Sequence, residues 1–157
     1  MVIRVRSFEP NDSDFIRSLI PRFSEFDLPT WRQKSQIDSA TQISLQKALE
    51  QSEPDSAIFI AEDETGTSAG FIHLDTQIDY FGERHGYISD LAVDPSFEGQ
   101  GVGRILLETA EAWTRKMGCR LLSLYVFAGN THARRVYEKH GFGQEVIKYV
   151  KEIAQNS

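Results

Sequence analysis

Asp90-Leu-Ala-Val-Asp-Pro-Ser-Phe-Glu-Gly-Gln-Gly-Val-Gly-Arg104 is the stretch on which the reading of the whole chain turns. A short apolar run stops at Pro95, passes through three glycines and opens into an amphipathic segment, the pattern of a strand, a turn and a helix. Glycine lets the backbone approach a ligand closely, and a helix N-terminus offers unpaired N–H groups with a partial positive charge. An anion is therefore expected where Gly99, Gly101 and Gly103 meet the helix. Glycines also fill ordinary turns, so the neighbouring segments have to decide.

Downstream, Val102, Ile105, Leu106, Thr109, Trp113 and Met117 share one helical face, and Gly118 is the natural stop. Leu121 to Phe127 is nearly all apolar, β-branched or aromatic, as a strand covered on both faces would be. Asn130 or Thr131 can cap a short helix through Ala133, Val136, Tyr137 and His140, closed by Gly141, and Phe142 to Ile153 alternates weakly as a last strand or pair of strands.

Upstream, Tyr87 to Val93 is the strand that delivers the chain to the glycine turn, after a polar stretch from Asp75 to Gly86. Ala57–Ala61 and Ala69–Leu74 read as a hairpin around Asp63-Glu-Thr-Gly-Thr67. Val2 to Phe8 alternates as a first strand, and Phe15, Ile16, Leu19 and Ile20 recur at helical spacing. The aromatic stretch Phe23, Phe26, Leu28 and Trp31 is read as a loop packed on the core, with a pocket wall as the alternative. Ile37, Ile43, Leu45, Ala48 and Leu49 fall on a second helix that Asp38 or Ser39 would cap. The order β, α, α, β, β, β, α, β, α, β predicts an α/β fold in which helices cover a mixed sheet.

At 157 residues the chain suits a single domain, 1–157, and no repeat or linker marks a second one. Seventeen Lys and Arg against 23 Asp and Glu give a net charge of −6, which argues against nucleic acid as a partner and suits a cationic small substrate. One cysteine, Cys119, excludes an internal disulfide and a multi-cysteine zinc site, and points to reducing cytoplasm. The N-terminus carries charges among its apolar positions, unlike a signal peptide, and no run approaches the ~18 apolar residues of a membrane span. His73, Asp75 and His85 match no metal-ligand spacing, so no metal is expected.

Two blocks together resemble the GNAT family, the GCN5-related N-acetyltransferases. Ile88-Ser-Asp-Leu-Ala-Val-Asp-Pro with Gly99-Gln-Gly-Val-Gly-Arg104 is similar to the strand and pyrophosphate loop that the family uses for coenzyme A, and Asn130-Thr-His-Ala-Arg-Arg-Val-Tyr-Glu-Lys-His-Gly-Phe142 to its N-x-x-A-x-x-x-Y-x-x-x-G-F signature. The resemblance implies a mostly antiparallel twisted sheet of about 6–7 strands, flanked by about four helices and splayed between the fourth and fifth strands. It also implies acetyl-CoA as cofactor, held by Leu91, Ala92 and Val93 on the strand, by Gly99, Gln100, Gly101, Val102, Gly103 and Arg104 in the loop, and by Asn130 and Ala133. One position departs from the family's Q/R-x-x-G-x-G/A loop pattern: its first residue falls on Glu98, a carboxylate that should face away from phosphates.

Acetyl transfer to an amine also needs a neutral amine and an acid for the leaving thiolate. The signature assigns the acid to Tyr137, whose reference pKa is ~10. Family members often carry a glutamate on the strand before the loop as base; here the position is Ser89, beside Asp90. Strand alternation would point Asp90 and Ser89 to opposite faces unless a bulge changes the phase. His73, Glu83 and His85 are further sources of a base. The expected function is direct acetyl transfer to a primary amine, by preference of a small molecule. A protein N-terminus or lysine, or a non-catalytic acyl-CoA sensor, are the alternatives, and the protein is expected as monomer or homodimer.

Overall fold

The computed structural model describes residues 2–155. Its centre is a sheet of five strands in the order β1-β2-β3-β4-β5, namely Arg4–Ser7, Ala57–Glu62, Ser68–Ile78, Arg84–Val93 and Leu122–Ser123. The first four pair antiparallel, while β5 runs parallel to β4, as a strand returning through a helical crossover does. The helices are α1 (Ser13–Ser18), α2 (Lys34–Glu50), α3 (Val102–Lys116) and α4 (Thr131–Lys139).

Alternation along the strands divides the core in two. Ala61, Ala69, Ile72, Leu74 and Ile88 pack against Val102, Leu106, Leu107 and Ala110 of α3, whereas Ile60, Phe71 and Ala92 face Ile16 of α1, Leu45 of α2 and the intervening Leu19 and Ile20. The sheet is thus buried on both faces, and the two longest strands, β3 and β4, lie at its middle. The buried stripe of α3 is Val102, Leu106, Leu107, Ala110 and Thr114, rotated from the predicted face; Ile105, Thr109 and Trp113 lie half-buried on its flank.

Other expectations need correction. The sheet has five strands where about 6–7 were expected: Leu121 to Phe127 contributes only Leu122–Ser123, and Phe142 to Ile153 forms no strand. Alternation marks a segment able to pair, but a strand exists only where a neighbour offers its backbone. Val146, Ile147, Tyr149 and Ile153 are accordingly exposed. Helix α2 starts earlier than expected, under a reciprocal cap between Gln33 and Gln36, while Asp38 accepts a hydrogen bond from Ser24 instead of capping. The polar stretch Asp75 to Gly86 extends the β3–β4 hairpin.

Arg6 of β1 ties the N-terminal strand to the turn before α1. Its two terminal nitrogens each lie 2.8 Å from a carboxylate oxygen of buried Asp12, and its Nε donates to Glu62 at 2.9 Å. The Arg6 hydrogen bonds hold the Asp12 carboxyl below the usual range. A depressed folded-state pKa contributes stability that is present above the unfolded value of ~3.9 and is lost as pH falls toward the folded one. Asp12→Asn should therefore cost about 1–3 kcal/mol at neutral pH, and urea unfolding at stepwise lower pH should show the deficit against wild type closing below about pH 4.

Candidate active site

After β4, Asp94 accepts hydrogen bonds from Ser96 N at 2.9 Å and Ser96 Oγ at 2.6 Å, fixing a short 3₁₀ turn over Pro95–Phe97. Gly99 and Gly101 then adopt φ of 75° and 82°, a region that side chains disfavour. Gly101 is the N-cap of α3 and offers no side-chain cap, so the first amides of the helix stay unclaimed by any capping side chain. A Cβ placed on Gly99 would meet nothing within 4 Å, which leaves the space over the loop open. Open space, left-handed glycines and a 15-residue helix with an uncapped N-terminus suit a phosphate group. Gln100 bonds back to Ser96 O at 3.2 Å, and Arg104 pairs along the helix with Glu108 at 3.0 Å. The Glu98 carboxylate is paired with Arg22, which offsets its repulsion toward an anion; Arg22 also reaches Glu25 at 2.9 Å.

The sheet opens beside this loop. Strands β4 and β5 pair only at Gly86–Leu122 and Tyr87–Ser123, and Ile88 to Val93 continues without β5 alongside. The register of β4 against β3 slips between His73–Asp90 and Leu74–Ile88, so Ser89 is the extra residue of a bulge. This bulge changes the phase that simple alternation predicts. Asp90 meets His73 Nδ1 at 2.9 Å, and Ser89 Oγ donates to Asp75 Oδ2 at 2.7 Å, so Ser89 and Asp90 join one cluster on the face that also carries Phe71 and Ala92. Tyr87 lies on the same face, its ring 6.0 Å from that of Tyr125, and burial, Tyr125 and the charges of Asp90 and Asp75 raise its pKa.

Beyond β5, Asn130 Oδ1 caps α4 by accepting from Ala133 N at 3.2 Å, so the residue serves as a helix cap and keeps its amide nitrogen out of that bond. Tyr137 packs on the α3 side of the core, its ring edge-on to Phe142 at 5.7 Å. Burial pushes its phenol up to about 12.

The segment before α2 crosses between the two lips of the opening. Arg22 holds Glu98 beyond β4, and Phe26 packs on Phe127 beyond β5 with ring centroids 5.5 Å apart. Gly129 comes so close to Asp27 that a Cβ would stand 2.1 Å from its carbonyl oxygen. The aromatic stretch packs as expected at Phe23, which meets core residue Phe71, while Phe26 meets Phe127 beyond β5. A groove of about 750 Å³ follows the outer edge of β5 past Tyr125, Tyr137 and His85, and is separate from the glycine loop. His85 is held by Asp79 at 2.6 Å, and among the described residues no group of side chains is arranged to hold a metal.

A five-stranded sheet that parts beside an uncapped, glycine-fronted helix is the frame of an acyl-CoA-dependent transferase. The family model described as Acetyltransferase (GNAT) family matches residues 16–142, and the chain belongs to that family, whose members use acetyl-CoA. The chain is 40% identical over 85 residues to a mycothiol acetyltransferase of Propionibacterium freudenreichii subsp. shermanii, covering 54% of this chain and only 27% of that protein. It is 30% identical over 131 residues to an aminoglycoside N(6')-acetyltransferase type 1 of Stenotrophomonas maltophilia, covering 73% of this chain and 86% of the relative. The fold matches a structure of AAC(6')-Iy in complex with the bisubstrate analogue CoA-S-monomethyl-acetylneamine, with a TM-score of 0.70 at 23% identity, over 98% of this chain and all of the other.

Proposed function

We propose that residues 1–157 act as one N-acetyltransferase domain that uses acetyl-CoA to acetylate a primary amine of a small molecule, in a cytoplasmic setting. The observation that carries this reading is the uncapped N-terminus of α3 behind left-handed Gly99 and Gly101, set beside the parting of β4 from β5. In it, the amides of Gly99 to Arg104 hold the pyrophosphate, Leu91 to Val93 and Asn130 hold the pantetheine arm, and Ala133 lies at the start of α4 beside that arm. Acetyl-CoA supplies an acetyl group activated as a thioester.

Tyr137 and the acidic cluster lie on opposite sides of the sheet, as a group that supplies a proton and groups that remove one should. A phenol near 12 keeps its proton throughout the neutral range. It is also a weaker acid than a thiol of pKa ~8.5, so Tyr137 Oη works chiefly as a hydrogen-bond donor where negative charge builds on a leaving sulfur. Asp90, with Ser89 beside it, accepts the amine proton directly or through water. The carboxylates of Asp75 and Asp90, with Tyr87 and Tyr125 next to them, suit a cationic amine. The names of the relatives, for mycothiol and for aminoglycosides, support a small acceptor.

The test is CoA thiol release with acetyl-CoA and a panel of aminoglycosides, polyamines, amino sugars and peptides with free N-termini or lysines. Turnover is expected on small amines. Turnover on peptides alone would reverse the acceptor assignment, and tight acetyl-CoA binding without turnover on any amine would replace the enzyme by a sensor.

A further inference from the structure

A buried histidine lies at the centre of the acidic cluster. His73 on β3 is 5% exposed, and each ring nitrogen faces a carboxylate: Nδ1 lies 2.9 Å from Asp90 Oδ2 and Nε2 lies 3.2 Å from Asp75 Oδ2. Ser56 Oγ is also 3.5 Å from Nε2, but its hydroxyl donates to Leu74 O at 3.0 Å. Asp75 Oδ2 accepts from Ser89 as well, so a chain of contacts runs from Asp90 through His73 and Asp75 to Ser89. The two carboxylates differ in access: the Asp90 side chain is 11% exposed and that of Asp75 38%. A carboxylate that far from water must be given a donor, or its charge becomes costly and its orientation undefined.

We propose that His73 is a positioning residue for acetyl transfer, holding Asp90 from Nδ1 in the orientation in which it meets the acceptor amine. The inference rests on the assignment of Asp90 to the acceptor side. An ionised carboxylate only accepts hydrogen bonds, so the contact with Asp90 requires N–H at Nδ1, while Asp75 takes its donor from Ser89 Oγ. The bulge is what makes the arrangement possible. By bringing Ser89 and Asp90 to one face, it lets Asp90 meet the His73 ring and Ser89 meet Asp75, two residues along β3.

The two halves of the ring can be tested apart. Asparagine places its amide near the Nδ1 position and glutamine near Nε2, so His73→Asn keeps a donor toward Asp90, His73→Gln moves it to the Asp75 side, and His73→Leu has neither. His73→Leu and His73→Gln should lower kcat by about 10²-fold, the cost of a misplaced reacting group, with acetyl-CoA Kd unchanged, while His73→Asn should recover most of the loss. A readout independent of turnover is the imidazole ¹⁵N spectrum of the ligand-free protein: Nδ1 of His73 should carry hydrogen, and Asp90→Asn should move its resonance. Equal kcat for wild type, Asn, Gln and Leu variants, or an Nδ1 without hydrogen, overturns this inference alone. If the Leu variant fails to fold, the contrast between Asn and Gln still decides, equal losses in both overturning the role of Nδ1. Absence of acetyl transfer by the wild type overturns the functional reading as well.

Discussion

Tyr137→Phe should lower kcat by about 10²-fold or more and leave the Kd for acetyl-CoA within about twofold. The substitution removes one oxygen and keeps the ring that packs against Phe142 and the α3 side of the core, so the fold has little reason to respond. The hydroxyl is what changes. Burial holds its pKa near 12, so the group carries its proton at every pH where the enzyme would work, and loss of activity on the alkaline side would not come from this phenol. A donor of this kind acts in the transition state more than in the ground state, which is why the effect belongs in kcat. Stopped-flow or steady-state thiol release with the best amine of the panel, alongside calorimetric binding of acetyl-CoA, separates the two terms. An unchanged kcat would remove Tyr137 from the chemistry, and a Kd that weakens in proportion would make it a binding residue.

Phe71→Ala should produce the largest loss of stability, about 3–5 kcal/mol. The ring is fully buried in the middle of β3, paired across the sheet with Ile60 and Ala92 on its own face, and it receives the edge of Phe23 at 6.2 Å. Deleting it leaves a cavity beneath the segment that crosses the opening from Arg22 to Asp27. Thermal unfolding should show Tm falling by roughly 10 °C. On the proposed reading that segment borders the acceptor side, so any activity that survives should show a raised KM for the amine and a nearly unaltered Kd for acetyl-CoA. A loss below about 1 kcal/mol would mean that the two core layers repack around the site, and that Phe71 does not fix the crossing segment.

Much of this architecture was legible in the residues. The run from Asp90 to Arg104 carries strand, turn and helix in local chemistry alone, since proline, glycine and apolar spacing each act within a few residues. Asn130 through Phe142 is equally local, and its capping asparagine and closing glycine appear where expected. What sequence could not supply was set by contacts between distant segments. The phase of Ser89 and Asp90 depends on the slip of β4 against β3 at His73–Leu74, a property of two strands together. His73 was visible as one candidate base among several; only the bulge shows that it holds Asp90 from one nitrogen and faces Asp75 with the other. Glu98 was read as an anomaly in the loop, and its partner Arg22 lies 76 positions away. The strand expected over Phe142 to Ile153 failed for the converse reason, because alternation reports a capacity to pair and β5 pairs through only two residues.

Coenzyme A should engage the backbone amides beside the opening. The most direct measurement is a ¹H–¹⁵N titration of the labelled protein with coenzyme A, following the amides of Leu91 to Val93, Gly99 to Arg104 and the Asn130 side chain. The predicted result is saturable shifts centred on those groups, with Gly101 to Arg104 moving most and the Asp75 to Asp90 cluster moving less. Shifts that saturate elsewhere, for instance along the β5 groove at Tyr125 and His85, with the glycine loop unmoved, would contradict it.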